Sequence, residues 1–457
     1  MDLGRELVIN ENIQVPENIQ RVARELEARG HRAYLVGGAV RDSLLGKKPK
    51  DWDICTSATP DEVEEIFHEH ASRTGKRYGT ITVLSGHDEV EVTTFRRDGR
   101  YTDGRRPEVV VFSSQVTDDL ARRDFTVNAM AFDIGRRAVL DCFGGLKDLR
   151  ARLIRAVGNP RERFQEDALR MLRAIRLGAE LGFELEPETL RSIEGCHESI
   201  TRISWERIRD ELSSMIVTPA AGNALSLTRR TRLLEHILPE LEACVSVPSG
   251  APSAGNVFEH SLKVTDIIEP TLHLRLAALL HDIGKPATME RQADGTLRFP
   301  CHEKVGASLA LGALERLRYP RDVIKRVVSL VERHMFSYDP ATTDKGIRRM
   351  AGALGMDFIR DLGKLREADR MALGAEPGPG ANMAAFLSRV ESVMANSPAL
   401  SVRDLAVNGR DVMSVLGVAE GPKVGQALTR LLEAVLENPS LNSRDVLLGM
   451  LREMKGT

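Results

Sequence analysis

The stretch YLVGGAVRDSLLGKKPKDWDIC, Tyr34 to Cys55, decides how the first half of this chain is read. "AYLV" (33–36) has the make-up of a buried strand, "GG" (37–38) is a turn without side chains, and "AVRDSLLG" (39–46) reads as a short helix closed by Gly46. Such a strand–turn–helix start aims backbone N–H groups and the positive helix end at a phosphate, and Arg41 adds a guanidinium. Gly37, Gly38 and Arg41 are therefore a candidate triphosphate cradle. In "KDWDI" the strand period of two sets Asp51 and Asp53 on one face, roughly 6–7 Å apart, with Trp52 and Ile54 on the other. Two carboxylates on one face suit a hard cation such as Mg²⁺. Alone, a Gly-Gly turn or a D-x-D strand is an ordinary structural feature; close together they point to nucleotide chemistry. Glu91, in the strand-like "EVEVTTF", is a candidate third carboxylate if that strand lies alongside.

Outward from this stretch, the 457 residues are 42% hydrophobic and carry a formal net charge of −2. That length holds about three ordinary domains. No run approaches the ~18 apolar residues of a membrane-spanning helix, and "MDLGRELVINENIQ" lacks the basic start and apolar middle of a secretory signal. The expectation is a soluble, cytoplasmic protein with no membrane partner. The cysteines at 55, 142, 196, 244 and 301 are odd in number and never spaced C-x-x-C, which excludes a disulfide framework and a zinc ribbon. The near-neutral total excludes a wholly basic nucleic-acid coat. Residues 93–176, however, hold 18 Lys/Arg against 12 Asp/Glu, which leaves room for a local polyanion site.

Up to about residue 145 short β-rich runs such as "YGTITVLSG" alternate with helical segments, and "TPDE" (59–62) spells a helix start with Thr at the cap, Pro at the first position and Glu at the third. From about 150 onward the pattern is almost wholly helical. Linker-like "SVPSGAPSAGN" (246–256) and "GAEPGPGAN" (374–382) complete the division into residues 1–149, 150–245, 246–378 and 379–457.

In "RRDFTVNAMA" an Arg, an Asp and an Asn precede an apolar run; Asp124 can accept from a ribose hydroxyl while Arg123 contacts phosphate. In "EDALRMLRAIR" the residues Ala168, Met171, Leu172, Ile175 and Ala179 form a core stripe that fixes the facing of one helix, with Asp167 and Arg170 on a neighbouring face. An acceptor and a forked donor three residues apart can complement the edge of cytosine or adenine, or simply form a surface ion pair.

"LVGGAVRDSLLGKKPKDWDI" resembles the opening motif of class II nucleotidyltransferases, the group of bacterial CCA-adding tRNA nucleotidyltransferases and poly(A) polymerases. The likeness continues in order through "TFRRDGRYTDGRRPEVVVF", "DDLARRDFTVNAMA", "DCFGGLKDL", "EDALRMLRAIR" and "ISWERIRDEL", over about the first 215 residues. It implies an α+β fold: a mixed-sheet head followed by an all-α neck, body, HD domain and tail. It also implies tRNA, CTP and ATP as partners, Mg²⁺ on Asp51 and Asp53, and a nucleotide held by Arg123, Asp124, Asn128, Arg173 and Arg176 and read by Asp167 and Arg170. "GKRYGTITV" (75–83) is similar to the tRNA-directed members rather than to poly(A) polymerases. The loop "RDGRYTDGRRP" (97–107) is similar to that of enzymes adding A as well as C. CC-only or A-only addition, or poly(A) synthesis, is the alternative within the family.

A second constellation follows the linker: His260, His281 with Asp282, His302, His334 and Asp369. An adjacent His-Asp pair at the end of the apolar "LAALL" costs several kcal/mol to bury unless paired or ligating. The set resembles an HD-type phosphohydrolase domain, with Lys285 after the pair. That implies one or two divalent ions and hydrolysis of phosphomonoesters or 2′,3′-cyclic phosphates. A phosphohydrolase with an RNA-binding head is the alternative from another class. Near the C-terminus, "LGVAEGPKVG" is a Gly-bounded helix connection whose N–H groups suit an RNA phosphate.

Overall fold

The computed structural model describes residues 6–9, 13–72, 75–86, 88–98, 110–249, 255–378, 380–395 and 400–455, so most of the 97–107 loop lies outside the described residues. The chain divides into two compact units, residues 1–242 and 243–457.

In the first unit eight strands form one mixed sheet: β1 (Glu6–Ile9), β2 (Ala33–Val36), β3 (Asp53–Thr56), β4 (Ala71–Ser72), β5 (Thr80–Ser85), β6 (Asp88–Thr94), β7 (Met130–Asp133) and β8 (Ala138–Asp141). Their order is β1-β8-β7-β2-β3-β6-β5-β4. Neighbours pair antiparallel except β3 and β6, which run parallel with Asp53 opposite Glu91 and Ile54 opposite Val92. Strand alternation splits the core across the sheet. Leu35, Ile54, Val92, Phe132 and Val139 pack with Ile19, Val22 and Leu26 of the Glu17–Ala28 helix. Val36, Cys55, Ala131 and Leu140 pack with Phe95, Val116 and Leu120 on the other side.

The strand expected from Asp51 begins only at Asp53. Val36, its partner, is the last residue of β2, and the chain then leaves through Gly37 at φ +73°, so nothing remains for Asp51 to pair with. The helix after the turn is α1 (Gly38–Leu44), and Gly46 takes a left-handed φ of +68° just past its end. α2 (Pro60–Phe67) starts with the expected Thr59–Glu62 capping box.

Among the helices that follow the sheet are α3 (Pro160–Glu166), α4 (Leu169–Leu181), α5 (Pro187–Cys196), α6 (Trp205–Ile216), α7 (Ala221–Arg230) and α8 (Leu234–Ile237). "EDALRMLRAIR" is thus two helices rather than one. Asp167 between them is extended and its Oδ1 accepts from Leu169 N at 3.1 Å, a local side-chain bond that competes with helix continuation. The buried stripe of α4 contains Met171, Leu172 and Ile175 as expected but ends at Gly178; Ala179 is only half-buried.

The second unit is built on α9 (Val257–Ile267), α10 (Leu272–Leu280), α11 (His302–Arg316), α12 (Arg321–Arg333) and α13 (Met356–Ala372). Every residue of α10 from Leu274 to Leu280 is buried, which makes it the central helix of this unit. Towards the C-terminus, α14 (Gly409–Leu416), α15 (Pro422–Glu437) and α16 (Arg444–Lys455) enclose a smaller core of Val412, Leu431, Leu447 and Leu451.

Two candidate catalytic centres

Gly37 is the hinge of the first centre. Its φ suits glycine, and a Cβ there would lie 3.1 Å from Arg123 Nη1 and 3.7 Å from Asp53 Oδ2. From this turn a string of side chains runs along a cleft of about 280 Å³. Arg41 Nη1 donates to Asn128 Oδ1 (2.7 Å), Asn128 Nδ2 donates to Asp124 Oδ1 (3.1 Å), and Asp124 Oδ2 accepts from Arg173 Nη2 (2.8 Å). Arg173 and Arg176 also share Glu211 of α6, Arg176 at 2.6 Å. Gly38, Arg41, Asp51, Asp53, Asp124, Asn128, Arg173 and Arg176 all line this cleft. Gly37 and Glu91 adjoin it as neighbours of Asp53, Glu91 across the parallel strand pair.

Charge is unevenly settled here. Burial pushes the Asp53 carboxyl up to about 6, the Glu91 carboxylate adds to this, and Arg123 offsets part of it. Burial would raise Asp124 too, but Arg173 beside it wins and holds the group down at about 2. Arg123 donates Nη2 to the fully buried Asp119 (3.0 Å), while its buried Nε has no partner. An apolar pocket would reject these groups; a cleft with three carboxylates at one end and guanidinium groups along its wall can take up a metal-bound polyphosphate.

Asp167 and Arg170 are held off this wall. Arg207 of α6 takes the Asp167 carboxylate with two bonds of 3.2 and 2.6 Å. Arg170 donates to Glu166 at 2.6 Å and to the carbonyls of Arg163 and Arg122. Sequence reading passed over Arg207, Glu211, Lys50 and Glu180, which pair with or line the selected residues. The i,i+4 step from Arg176 to Glu180 was available as a signal; the α6 partners were not, because they come from a separate helix.

The second centre lies at the end of α10. His281 Nδ1 donates to the Ala278 carbonyl (2.8 Å), His302 Nδ1 to that of Phe299 (2.8 Å) and His334 Nδ1 to that of Val331 (2.7 Å). The same device, a carbonyl three residues back, turns each Nε2 inward. Asp282 stands among them: its Oδ2 is 3.2 Å from His281 Nε2, and its Oδ1 is 3.3 Å from His302 Nε2 and 3.7 Å from His334 Nε2. His260 Nε2 lies 3.1 Å from Asp369 Oδ1, and Lys285 Nζ 2.7 Å from Asp282. The sequence-selected residues fall into two groups, His260–His281–Asp369 and Asp282–His302–His334, in each of which the ligand atoms lie within 4.8 Å of one another and could hold a metal ion.

The residues fit a divalent ion on the structure's own terms. His281 Nε2 and His260 Nδ1 are buried with no hydrogen-bond partner. Burial opposes ionisation of Asp282, yet His281 beside it, with His302 and Lys285, brings the carboxyl well below its usual range. Burial first, then His281, pushes His334 down to about 3 and so keeps it a neutral ligand.

Against known proteins the chain matches, in order, models of a poly A polymerase head domain (residues 33–155), a probable RNA and SrmB-binding site of polymerase A (182–245) and an HD domain (257–374). It is 46% identical over 216 residues to the CCA-adding enzyme of Lactobacillus helveticus (strain DPC 4571), a match that spans about half of each protein, 47% of this chain and 54% of that one. With the CCA-adding enzyme of Lactobacillus gasseri (strain ATCC 33323) identity is 34% over 426 residues, covering 92% and 93%. The crystal structure of the Bacillus stearothermophilus CCA-adding enzyme in complex with CTP matches with a TM-score of 0.69 and 29% identity, over 97% of this chain and 98% of the other.

Proposed function

This chain belongs to the CCA-adding enzyme family, and from that premise we propose that it adds C, C and A in turn to tRNA 3′ ends, using CTP and ATP and releasing pyrophosphate. The observation that carries the reading is the single cleft in which Asp51 and Asp53 meet the string Arg41–Asn128–Asp124–Arg173. Asp51 and Asp53 would hold Mg²⁺, with Glu91 as the third carboxylate. The ion supplies charge neutralisation on the triphosphate and eases deprotonation of the attacking 3′-hydroxyl. Gly37, Gly38 and Arg41 hold the triphosphate tail at the turn, with Arg123 behind it. Asp124 and Asn128 take the ribose hydroxyls, so that NTP is favoured over dNTP. Arg173 and Arg176 hold the nucleotide from α4. Asp167 and Arg170 read the base once Arg207 and Glu166 release them. In-line attack on the α-phosphate then needs positioning rather than a general-base histidine.

On this reading residues 1–149 are the catalytic head, 150–245 the neck and body, 246–378 a phosphohydrolase domain and 379–457 a tRNA-binding tail. In the second centre His260, His281, Asp282, His302, His334 and Asp369 would hold one or two divalent ions for hydrolysis of phosphomonoesters or 2′,3′-cyclic phosphates, and Lys285 adds positive charge at the same spot. Among the described residues no helix is long and apolar enough to cross a membrane. The cytoplasm, where tRNA and nucleoside triphosphates meet, is the proposed place of action.

The test is extension of tRNA ending at the discriminator base, with Mg²⁺ and CTP, ATP or both. Growth by three nucleotides that needs both triphosphates is the expected result. A stop after two C residues would reassign the chain as CC-adding, growth by A alone on a tRNA already ending in CC as A-adding, and long A tails as a poly(A) polymerase.

A further inference from the structure

Among the described residues, one cluster of side chains able to ligate a metal belongs to neither centre. His197 opens the 3-10 turn that follows α5, and Glu235 and His236 stand side by side in α8. Leu233, Leu234, Ile237 and Leu238 are all buried, so the short helix is pinned by its apolar side and turns Glu235 and His236 together toward the 3-10 turn. The two imidazoles stack, with centroids 5.2 Å and planes 22° apart. His197 Nδ1 lies 3.0 Å from His236 Nε2, and Glu235 Oε1 lies 3.7 Å from the first and 3.5 Å from the second.

These three distances decide what the cluster resembles. Ligands set tetrahedrally at zinc bond lengths of about 2.0–2.1 Å stand about 3.3–3.4 Å from one another. The observed triangle is close to one face of such a shell. A histidine–histidine hydrogen bond accounts for the 3.0 Å edge alone; it does not bring one carboxylate oxygen within reach of both ring nitrogens. Arg232 Nη2 donates to the same Oε1 at 3.1 Å. A carboxylate has lone pairs to spare, and a hydrogen bond from outside is what orients ligating carboxylates in metal sites. His197 forms the floor at 7% side-chain exposure, while His236 at 23% and Glu235 at 36% leave an entry path from solvent.

We propose that His197 Nδ1, His236 Nε2 and Glu235 Oε1 form a third metal site, for a divalent transition ion of the zinc class with water in the fourth position. Two imidazoles and one carboxylate select such an ion over Mg²⁺. The ion ties residue 197 to residues 235–236 and so staples the segment that contains α6 and α7. α6 supplies Arg207 to Asp167 and Glu211 to Arg173 and Arg176, so the staple braces the arm behind the nucleotide cleft.

The test loads the full chain carrying Asp282→Ala, which weakens zinc binding at the second centre, with Zn²⁺ in the presence of excess Mg²⁺; after desalting, zinc per chain is counted by elemental mass spectrometry. At least one equivalent is expected, since His260, His281 and Asp369 remain in that variant. Adding His236→Gln, a change at a partly exposed side chain, should lower the count by one, and Co²⁺ in place of zinc should lose part of its intense four-coordinate visible absorption. Glu235→Gln should weaken Co²⁺ binding at least about tenfold. Equal zinc with and without His236→Gln overturns the proposal, as does no zinc in a folded Asp282→Ala chain. The same pair of measurements without Asp282→Ala, where the count should fall by one, keeps the test independent of that change.

Discussion

In and behind the cleft beside β3, Arg41, Arg173 and Arg176 on its wall and Arg123 behind Gly37 each already hold a carboxylate of the protein, whereas in the second unit three histidines give Nδ1 to carbonyl oxygens and leave Nε2 turned on Asp282. The first centre has neutralised most of its own charge and must exchange partners to admit a polyanion. The second has its imidazoles fixed in advance, so on the proposed reading it has only to admit an ion. Polar groups that pair among themselves give a site that can rearrange, and polar groups anchored to backbone give one that cannot.

The sharpest way to break this comparison is to remove one carboxylate from each side. Asp53→Asn should lower tRNA extension about 10²–10³-fold or more while hydrolysis of a 2′,3′-cyclic phosphate persists, and Asp282→Ala should do the reverse. Steady-state rates of both reactions on both variants check this. Loss of both activities in either variant would mean that the centres are not separable.

A smaller effect separates settled from unsettled charge within the cleft. Asp124 sits near 2 in the folded chain against 3.8 as the ordinary value, so its pairing with Arg173 stabilises the fold above pH 3.8 and is lost as pH falls through about 2. Asp124→Asn should cost about 1–2 kcal/mol at pH 7, a figure lowered for the 39% exposure of Arg173. The cost should shrink to about half by pH 3. Urea midpoints of both proteins at the two pH values decide it; a cost independent of pH would mean that the pair is not what holds Asp124. The smallest effect is at the turn. Gly37→Ala should lose about 1 kcal/mol in the same urea titration, because the left-handed φ strains alanine and its Cβ presses on Arg123. An unchanged midpoint would show that the turn has room to relax.

Local chemistry was legible in the sequence, and distant pairing was not. "AYLV", the turn at Gly37 and the Thr59–Glu62 cap are decided by a few adjacent residues, and each was readable from propensity and spacing. The histidines of the second centre were legible for a related reason: each lies in its own short helical stretch, so type and order survive without tertiary information. The strand expected from Asp51 starts at Asp53 instead, because where a strand begins depends on where its neighbour ends. Asp167 was read into a continuous helix because its side-chain bond to Leu169 N competes with a strong apolar stripe, and spacing alone does not weigh the two. Its hold by Arg207, 40 positions away, depends on two helices meeting.

The parallel pairing of β3 with β6 bears on how the protein acquires its chemistry. Antiparallel β5 and β6 can zip from a tight connection, but a parallel neighbour needs a crossover, here through α2, β4 and β5, before any of its hydrogen bonds can form. Loop closure of that kind is slow and comes after local structure. Helices and hairpins formed locally do not bring Asp53 to Glu91; the two become neighbours only when β3 and β6 pair. The carboxylate pair thus depends on a contact that no single local element supplies, and a head in which β3 and β6 have not paired does not set Asp53 opposite Glu91.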